Sequence, residues 1–294
     1  MQIEKTRPTT KMEDNIKISE LKSKKQKRKI LNFLDKLKVK NLYLLEGLSI
    51  EKPNTKSILF SNNDHILSVA HVVLNRYIHI QCFTHNRSLK LELGEKIKKI
   101  FPEIISIFGD KNSVEFFTHI YHNRKYKTLK YYFLELDKSL FSPVNFSAYH
   151  GISSENFVVK PENLSEILSL QISYEIEELE LEPSKIKREI LARVIENRIR
   201  REEMTVLKIN DKAVGIAAIN AKYRNVCQIG SVYIDKNYRG KGYSKLLLSV
   251  HLENLFKSYS KIVLFVRKDN KVAYNLYKKL GFNFKGELEQ LILK

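Results

Sequence analysis

The segment VYIDKNYRGKGYSKLLL runs from Val232 to Leu248 and joins an apolar strand-like run to an apolar helix-like run. Its turn holds Gly240 and Gly242, two of only ten glycines in the chain. Glycines at such a turn let the backbone approach a ligand, and the free N–H groups at the helix start favour an anion. The pattern predicts a phosphate site, with positive charge from Arg239, Lys241 and Lys245. Taken alone, it also fits an ordinary strand-to-helix turn.

A second informative segment reads LFVRKDNKVAYNLYKKLGF, from Leu264 to Phe282. A buried strand is predicted to end at Val266, after which Asn270 suits the N-cap of a helix and Gly281 suits its end. Tyr277 lies about two helical turns beyond Asn270. The segment predicts a strand, a capped helix and an aromatic side chain at a defined place on that helix.

Together the two segments resemble the GNAT superfamily of acyl-CoA-dependent N-acyltransferases. Members carry Arg or Gln, two free positions, Gly, one free position and then Gly or Ala. Arg239 and Gly242 match this pattern, and Ser244 departs from it, although serine is small and can donate a hydrogen bond. The downstream family pattern is matched in register by Asn270, Ala273, Leu276, Tyr277, Gly281 and Phe282. The resemblance covers about the last 140 residues, with specific residues from Gln228 onward.

The resemblance implies acetyl-CoA as cosubstrate and no metal. The backbone of the turn would hold the CoA pyrophosphate, through Arg239, Gly240, Lys241, Gly242, Tyr243 and Ser244. The edge of the preceding strand would pair with the pantetheine arm, through Val232, Tyr233 and Ile234. One N–H group of that edge would polarise the thioester carbonyl. Asn270 would contact the cofactor, and Tyr277 would protonate the departing thiolate, its alternative role being an aromatic in the core.

Candidate groups for the acceptor amine lie before and within the strands of this half. The run YEIEELELE contains Glu175, Glu177 and Glu178, which fall where GNAT enzymes usually shape the acceptor site. Asn220 and Gln228 are polar residues in otherwise apolar strands and are expected to face the same cleft. No carboxylate occurs in residues 226–234, where many relatives keep their base, so a water-relayed base is the expectation.

Composition restricts the remaining classes of function. The 294 residues are 43% hydrophobic, which predicts a globular protein with a substantial core. The formal net charge of +19 leaves nucleic acid open as a partner, although the charge is mostly dispersed. Cys82 and Cys227 show no disulfide or metal spacing. Without an apolar run of spanning length or a signal-peptide pattern, the sequence predicts no membrane insertion and a cytoplasmic location.

The order of predicted elements occurs twice along the chain. Each half reads as helices, three strands, a helix, a strand, a helix and a strand, so the predicted fold class is α/β (α+β). The expected architecture is a GNAT fold, with a mixed, mostly antiparallel sheet flanked by helices, in two tandem halves. Residues 1–148 form a predicted degenerate half, with a basic start, which lacks paired glycines and the Asn-to-Tyr spacing. Residues 149–294 form the predicted catalytic half.

The leading hypothesis is transfer of an acetyl group from acetyl-CoA directly to a primary amine on a small molecule or peptide. The alternatives are a non-catalytic acyl-CoA-binding or RNA-binding module and an aminoacyl transferase that uses charged tRNA. The CoA-type turn argues against the last of these. Both a monomer and a homodimer are compatible with the sequence.

Overall fold

The structure, a computed structural model, describes residues 16–37, 40–62, 65–142, 151–157, 159, 163–178, 180 and 182–294. These residues form two compact units. Unit 1 holds the described residues up to Thr128 together with Glu289–Lys294, and unit 2 holds Leu129–Leu288. The predicted boundary between residues 148 and 149 lies outside the described residues and stays a prediction.

Unit 1 is a mixed sheet with helices, and its elements follow the predicted order with one extra strand at the start. Its strands are β1 Lys17–Glu20, β2 Thr55–Asn62, β3 His65–Val73, β4 Tyr77–Cys82 and β5 Ser106–Gly109. Its helices are α1 Lys24–Lys36, α2 Leu42–Ser49, α3 Arg87–Ile100, α4 Lys111–Val114 and α5 Phe117–Ile120. The strands pair in chain order, antiparallel except for β4 with β5, and the last residues of the chain pair with β5.

Two sequence expectations for unit 1 need correction. A single helix is predicted over residues 112–122, but the chain forms the separate short helices α4 and α5. The break falls between Val114 and Phe117, and Phe116, Phe117 and Tyr121 all enter the apolar core. The strand β1 was not predicted, because its residues KISE lack an alternating apolar pattern.

Unit 2 repeats the arrangement around the second half of the sequence. Its helices are α6 Leu164–Glu177, α7 Arg188–Arg200, α8 Tyr243–Leu255 and α9 Lys271–Lys279. Its strands are β6 Tyr126–Asp137, β7 Met204–Ile209, β8 Lys212–Tyr223, β9 Val226–Ile234, β10 Lys261–Arg267 and β11 Asn283–Leu293, of which β6 and β11 run across the limits of the unit. The order β6-β10-β9-β8-β7 is antiparallel except for the parallel pair β9 and β10.

Apolar clusters cover both faces of this sheet. One cluster joins β9 and β10 to α8 and α9, with Leu248, Leu264 and Phe282 at its centre. Another joins β7 and β8 to α6 and α7 through Ile167, Ile195 and other residues. Helix α6 packs against β8 and β9, and α9 packs against β10, so the two helices lie on either side of the place where β9 and β10 meet.

Two details of unit 2 depart from the sequence reading. The run FVVK at residues 157–160 is predicted as a strand, but Phe157 ends a 3₁₀ turn, and residues 158 and 160 lie outside the described residues. The strand β6, which belongs to the first half of the sequence, pairs with β10 from Lys261 opposite Asp137 to Arg267 opposite Tyr131. Within the described ranges, no helix has the length and apolar character that a membrane span requires.

Candidate active site

A cleft opens where the parallel strands β9 and β10 separate. Their pairing runs from Val226 opposite Lys261 to Ile229 opposite Leu264, although β9 continues to Ile234 and β10 to Arg267. Beyond Ile229 the edge of β9 that faces β10 therefore has no strand partner among the described residues. A free strand edge presents backbone N–H and C=O groups that an extended ligand can pair with.

Bulges at the same level of the sheet produce this separation. The register of β8 with β9 shifts twice, and Ser231 has a positive φ of 50°. The side-chain amide of Asn220 lies against Gly230, where an added Cβ would displace the Asn220 side chain. Arg198 on α7 donates hydrogen bonds to Asn220 Oδ1 at 3.1 Å and Ser231 Oγ at 3.4 Å. Asn220 therefore holds the bulges and does not line the cleft, in contrast to its predicted acceptor role.

The glycine turn forms one end of the cleft. Gly240 and Gly242 have φ values of 79° and 77°, in the left-handed region that favours glycine. Gly242 is the N-cap of α8, and no side chain of the described residues bonds to the first turn of that helix. A Cβ on Gly240 would meet no atom within 4 Å, so the turn faces open space. Uncapped N–H groups beside open space are the arrangement that binds phosphate.

Arg239 is held by several groups at the base of this turn. Its Nε donates to the carbonyl oxygen of Ile234 at 3.0 Å, and its guanidinium lies 5.1 Å from the centre of the Tyr233 ring. Its terminal nitrogen bonds to Glu177 on α6 at 2.9 Å. Glu177 also accepts from the Tyr233 hydroxyl and pairs with Lys236 at 3.2 Å. The carboxylate of Glu177 therefore contacts the turn and not the cleft.

The contacts between Tyr233 and Glu177 change the pKa values of both side chains. Burial raises the pKa of Tyr233 to about 12, with further contributions from the hydrogen bond and charge of Glu177. For Glu177, burial acts to raise the pKa, but hydrogen bonds from Tyr233, Arg239 and Lys236 outweigh it, so the pKa lies below its ordinary value. The carboxylate is therefore ionised, and the phenol is neutral, at physiological pH.

The cleft has a volume of about 490 Å³ and draws its walls from β6, α6, β9, α8, β10 and α9. Nine of the predicted site residues line it: Glu178, Val232, Tyr233, Ile234, Arg239, Gly240, Ser244, Asn270 and Tyr277. Lys241, Gly242 and Tyr243 belong to the turn but are not among the lining residues, and Lys241 lies over the Tyr238 ring.

Tyr277 occupies the floor of the cleft on α9. Its side chain is 8% exposed, and its ring packs edge-on against Phe282 at 5.8 Å between centroids. Burial, and then the charge of Glu178, raise the pKa of Tyr277 well above its ordinary value. The phenol stays protonated at neutral pH and can donate a proton into the cleft.

Glu178 is the carboxylate that lines the cleft. Its side chain accepts a hydrogen bond from Asn270 Nδ2 at 3.4 Å, while Asn270 Oδ1 caps α9 by accepting from Ala273 N at 3.0 Å. The predicted helix cap at Asn270 is present. Arg267 lies nearby but is neutralised by Glu180 at 2.8 Å and Asp269. Its hydrogen bond to Asp269, and then that to Glu180, raise its pKa despite burial.

The other predicted acceptor residues lie elsewhere. Glu175 accepts a hydrogen bond from Gln171 one turn earlier on α6 and is not part of the cleft wall. Gln228 is 2% exposed, and its Oε1 has no hydrogen-bond partner among the described residues. Neither residue is among those that line the cleft.

Several lining residues were not predicted. The aromatic side chains Tyr131, Tyr174 and Phe265 form part of the wall, as does Arg267. Phe265 and Arg267 lie inside the second sequence segment quoted above, so their position at the end of a buried strand was an available signal. No sequence signal marks Tyr131, because it reaches this cleft only through the pairing of β6 with β10.

The corresponding edge in unit 1 is already occupied. There β4 and β5 pair only from Tyr77 to His79. Beyond that point Cys82 N donates to Ser113 Oγ at 2.7 Å, and Asn112 Nδ2 donates to the Cys82 oxygen at 3.0 Å. Side chains of α4 thus use the backbone groups that β9 leaves free in unit 2.

Residues 165–282 match the family model described as the acetyltransferase (GNAT) family. An uncharacterized N-acetyltransferase of Methanocaldococcus jannaschii is 34% identical over 87 residues, which are 27% of this chain and 38% of that protein. N-acetylaspartate synthetase of Xenopus tropicalis is 37% identical over 90 residues, 30% of this chain and 33% of that protein. The matched region thus spans little more than a third of either relative.

A solved structure supports the fold over nearly the whole chain. A tandem GNAT protein from the clavulanic acid biosynthesis pathway aligns with a TM-score of 0.57 at 12% identity, covering 95% of this chain and 98% of that one. At this identity the likeness concerns the fold alone. The predicted fold class, with a mixed sheet flanked by helices, is confirmed. Residues 165–282, which contain the glycine turn and the divided strands, match the acetyltransferase (GNAT) family.

Proposed function

We propose that this protein transfers an acetyl group from acetyl-CoA directly to a primary amine in the cleft of unit 2. The observation that carries the proposal is the separation of β9 from β10 between an uncapped glycine turn and the buried phenol of Tyr277. An anion site, a free strand edge and a proton donor then lie along one cleft. These are the three groups that a CoA thioester requires.

The cofactor would lie along β9. The N–H groups at the start of α8, with Gly240 and Ser244, bind the pyrophosphate, and the edge of Val232 to Ile234 pairs with the pantetheine arm. An N–H of this edge donates to the thioester oxygen and stabilises the negative charge that develops on it. Asn270, already committed to its cap, orients Glu178 beside the arm.

The chemical step balances within this geometry. The amine nitrogen attacks the thioester carbonyl carbon, the C–S bond breaks, and the departing sulfur takes the proton of the Tyr277 hydroxyl. The proton that the attacking nitrogen loses returns through water to the Tyr277 phenolate, which restores the phenol. Burial raises the pKa of the phenol, and the same desolvation raises that of a thiol, as for the buried Cys227, whose pKa rises to about 12. The two pKa values therefore move in the same direction, which keeps proton transfer between them feasible.

Glu178 is the proposed group for the acceptor. It is a carboxyl group at the cleft wall whose partner is the Asn270 amide, so it can hold an ammonium group or take its proton through a water molecule. The acceptor is a small amine or the amine of a peptide. N-acetylaspartate synthetase is the name of one relative, which supports a small amine without choosing it.

The test combines binding and turnover. Calorimetric titration of acetyl-CoA and of CoA into the wild-type protein and Arg239→Ala should show binding that the substitution weakens. Release of free thiol is then followed with a panel of diamines, amino acids and peptides. Binding without turnover on any amine would favour the non-catalytic alternative, and no binding of acetyl-CoA would refute the proposal and direct attention to the basic surface as an RNA-binding one.

Tyr277→Phe tests the proton donor. We expect kcat to fall about 100-fold or more, as for loss of a general acid, with acetyl-CoA affinity unchanged. Tyr274→Phe is the matched control, because Tyr274 lies on the same helix and packs against Tyr132 at 5.0 Å without lining the cleft. Equal rates for Tyr277→Phe and wild type would assign Tyr277 to the core alone.

A further inference from the structure

We propose that Glu177 is a positioning residue for the cofactor turn, holding Arg239 and the backbone beyond it in the shape that receives phosphate. The inference rests on the proposed function, since it concerns the same cofactor site. Glu177 stands next to Glu178, yet the two carboxylates face different places: Glu178 lines the cleft, while Glu177 contacts the base of the turn.

The side chain of Arg239 closes the turn between β9 and α8. Arg239 Nε donates to the carbonyl oxygen of Ile234, the last residue of β9, at 3.0 Å. This bond links the end of the strand to the residue just before Gly240, so the intervening 3₁₀ turn Lys236–Tyr238 is bridged by one side chain. The direction in which Gly240 and the helix N-terminus face then depends on where the Arg239 side chain is held.

Glu177 and Tyr233 hold the Arg239 side chain. Glu177 bonds to the Arg239 guanidinium at 2.9 Å, and the Tyr233 ring packs against the guanidinium at 5.1 Å. The Tyr233 hydroxyl donates to the other oxygen of the same carboxylate. The carboxylate therefore ties β9 and the turn together from α6, and its side chain is only 24% exposed, against 46% for Arg239. Bonds to an ionised, partly covered acceptor are stronger than those between neutral groups.

The charge of Glu177 and its positioning of Arg239 would affect acetyl-CoA affinity in opposite directions. Glu177 brings a negative charge close to the site proposed for an anionic cofactor. If charge were its only effect, replacing it with an uncharged residue would strengthen binding of acetyl-CoA, since Lys236 and Arg239 would be released to attract phosphate. If positioning dominates, the same replacement weakens binding. The two roles thus predict opposite changes in affinity.

The experiment is calorimetric titration of acetyl-CoA and CoA into the wild-type protein, Glu177→Gln, Glu177→Asp and Glu175→Gln at one ionic strength. We expect Glu177→Gln to weaken both ligands about tenfold, the effect of one charge-assisted hydrogen bond. Glu177→Asp keeps the charge but is too short to reach both Tyr233 and Arg239, so it should also bind more weakly than wild type. Glu175→Gln, on the same helix but bonded only to Gln171 among the contacts above, should bind as wild type does.

Turnover kinetics separate positioning from a general loss of structure. With a working acceptor, Glu177→Gln should raise KM for acetyl-CoA and leave kcat at saturation close to wild type, and its thermal midpoint should stay within a few degrees. Because Glu177 and Arg239 act as one unit, the double variant Glu177→Gln/Arg239→Ala should bind little worse than Arg239→Ala alone.

The failures are distinguishable. Wild-type binding of acetyl-CoA with equal or tighter binding by Glu177→Gln would overturn the positioning role and leave the proposed function standing. Wild-type affinity in Glu177→Asp would do the same, because it would show that binding does not depend on a side chain long enough to reach both Tyr233 and Arg239. Absence of binding to the wild-type protein would instead remove the proposed function, and the positioning role with it.

Discussion

The positive φ of Gly240 allows a prediction that separates backbone strain from ligand contact. In Gly240→Ala the added methyl group meets no atom of the protein within 4 Å, so no side chain has to move. What remains is the cost of holding an L-residue at a φ of 79°, about 1–2 kcal/mol. Fewer unfolded conformations for alanine offset part of this, by about 0.4–1 kcal/mol. The expected net loss of unfolding free energy is about 1 kcal/mol.

The chain offers a matched control. Gly151 has a φ of 73° and open space around its Cβ position, and it does not line the cleft. Gly151→Ala should therefore lose the same free energy of unfolding as Gly240→Ala, seen as a thermal shift of about 2–4 °C. Only in Gly240→Ala would the methyl group project into the space assigned to the cofactor phosphates.

Acetyl-CoA affinity then decides the matter. We expect Gly240→Ala to bind at least about tenfold more weakly, which corresponds to roughly 1.4 kcal/mol, while Gly151→Ala binds as wild type does. Calorimetry measures the affinities and chemical denaturation the stabilities. Equal affinity in both variants, at equal stability loss, would refute the idea that the glycine is there for close approach of a ligand.

Three further predictions concern the pH dependence of stability, the extent of the chain and the role of Glu178. Burial lowers the pKa of His71 to about 4 and the pKa values of His79 and His251 to about 3. Between pH 6.5 and 4 the unfolded chain therefore binds more protons than the folded protein, and the folded state loses stability as the pH falls. The loss is up to about 1.4 kcal/mol of unfolding free energy per pH unit for each histidine. Denaturant unfolding at pH 7 and 5 would contradict this if the free energies were equal. A chain shortened to residues 149–294 lacks the β6 residues that pair with β10, so we expect size-exclusion chromatography to show that it aggregates. A chain of residues 129–288 keeps that pairing and is the control. Equal solubility of the two chains would count against the role of β6. Glu178→Gln should lower the rate with amines while sparing acetyl-CoA affinity, and unchanged steady-state rates would remove Glu178 from the acceptor site.

Local patterns in the sequence were enough for most elements and for the cofactor side of the candidate site. The strand-like run before the glycine turn is β9, which ends at Ile234, and the helix-like run after it is α8, which starts at Tyr243, because apolar runs and glycines act over a few residues. The spacing from Asn270 to Tyr277 depends only on helix geometry, so it could be read without knowing any tertiary contact. For the same reason the turn and the proposed proton donor could be predicted together.

Contacts between distant residues could not be read in this way. Glu175, Glu177 and Glu178 look alike in sequence, but rotation around α6 sends one to Gln171, one to the turn and one to the cleft. Asn220 resembles a candidate for the cleft until the bulges of β8 and β9 place it against Gly230.

By itself the sequence determined the resemblance to the GNAT superfamily, the order of elements and the residues of the glycine turn, since these depend on short-range periodicity and backbone freedom. Only the tertiary structure decided that β9 and β10 separate at Ile229, that Tyr131 reaches the cleft through β6, and that Glu177 holds Arg239. Each of these depends on strand register or on which helix face meets the sheet. Such relations join residues far apart in the chain, and no local pattern encodes them.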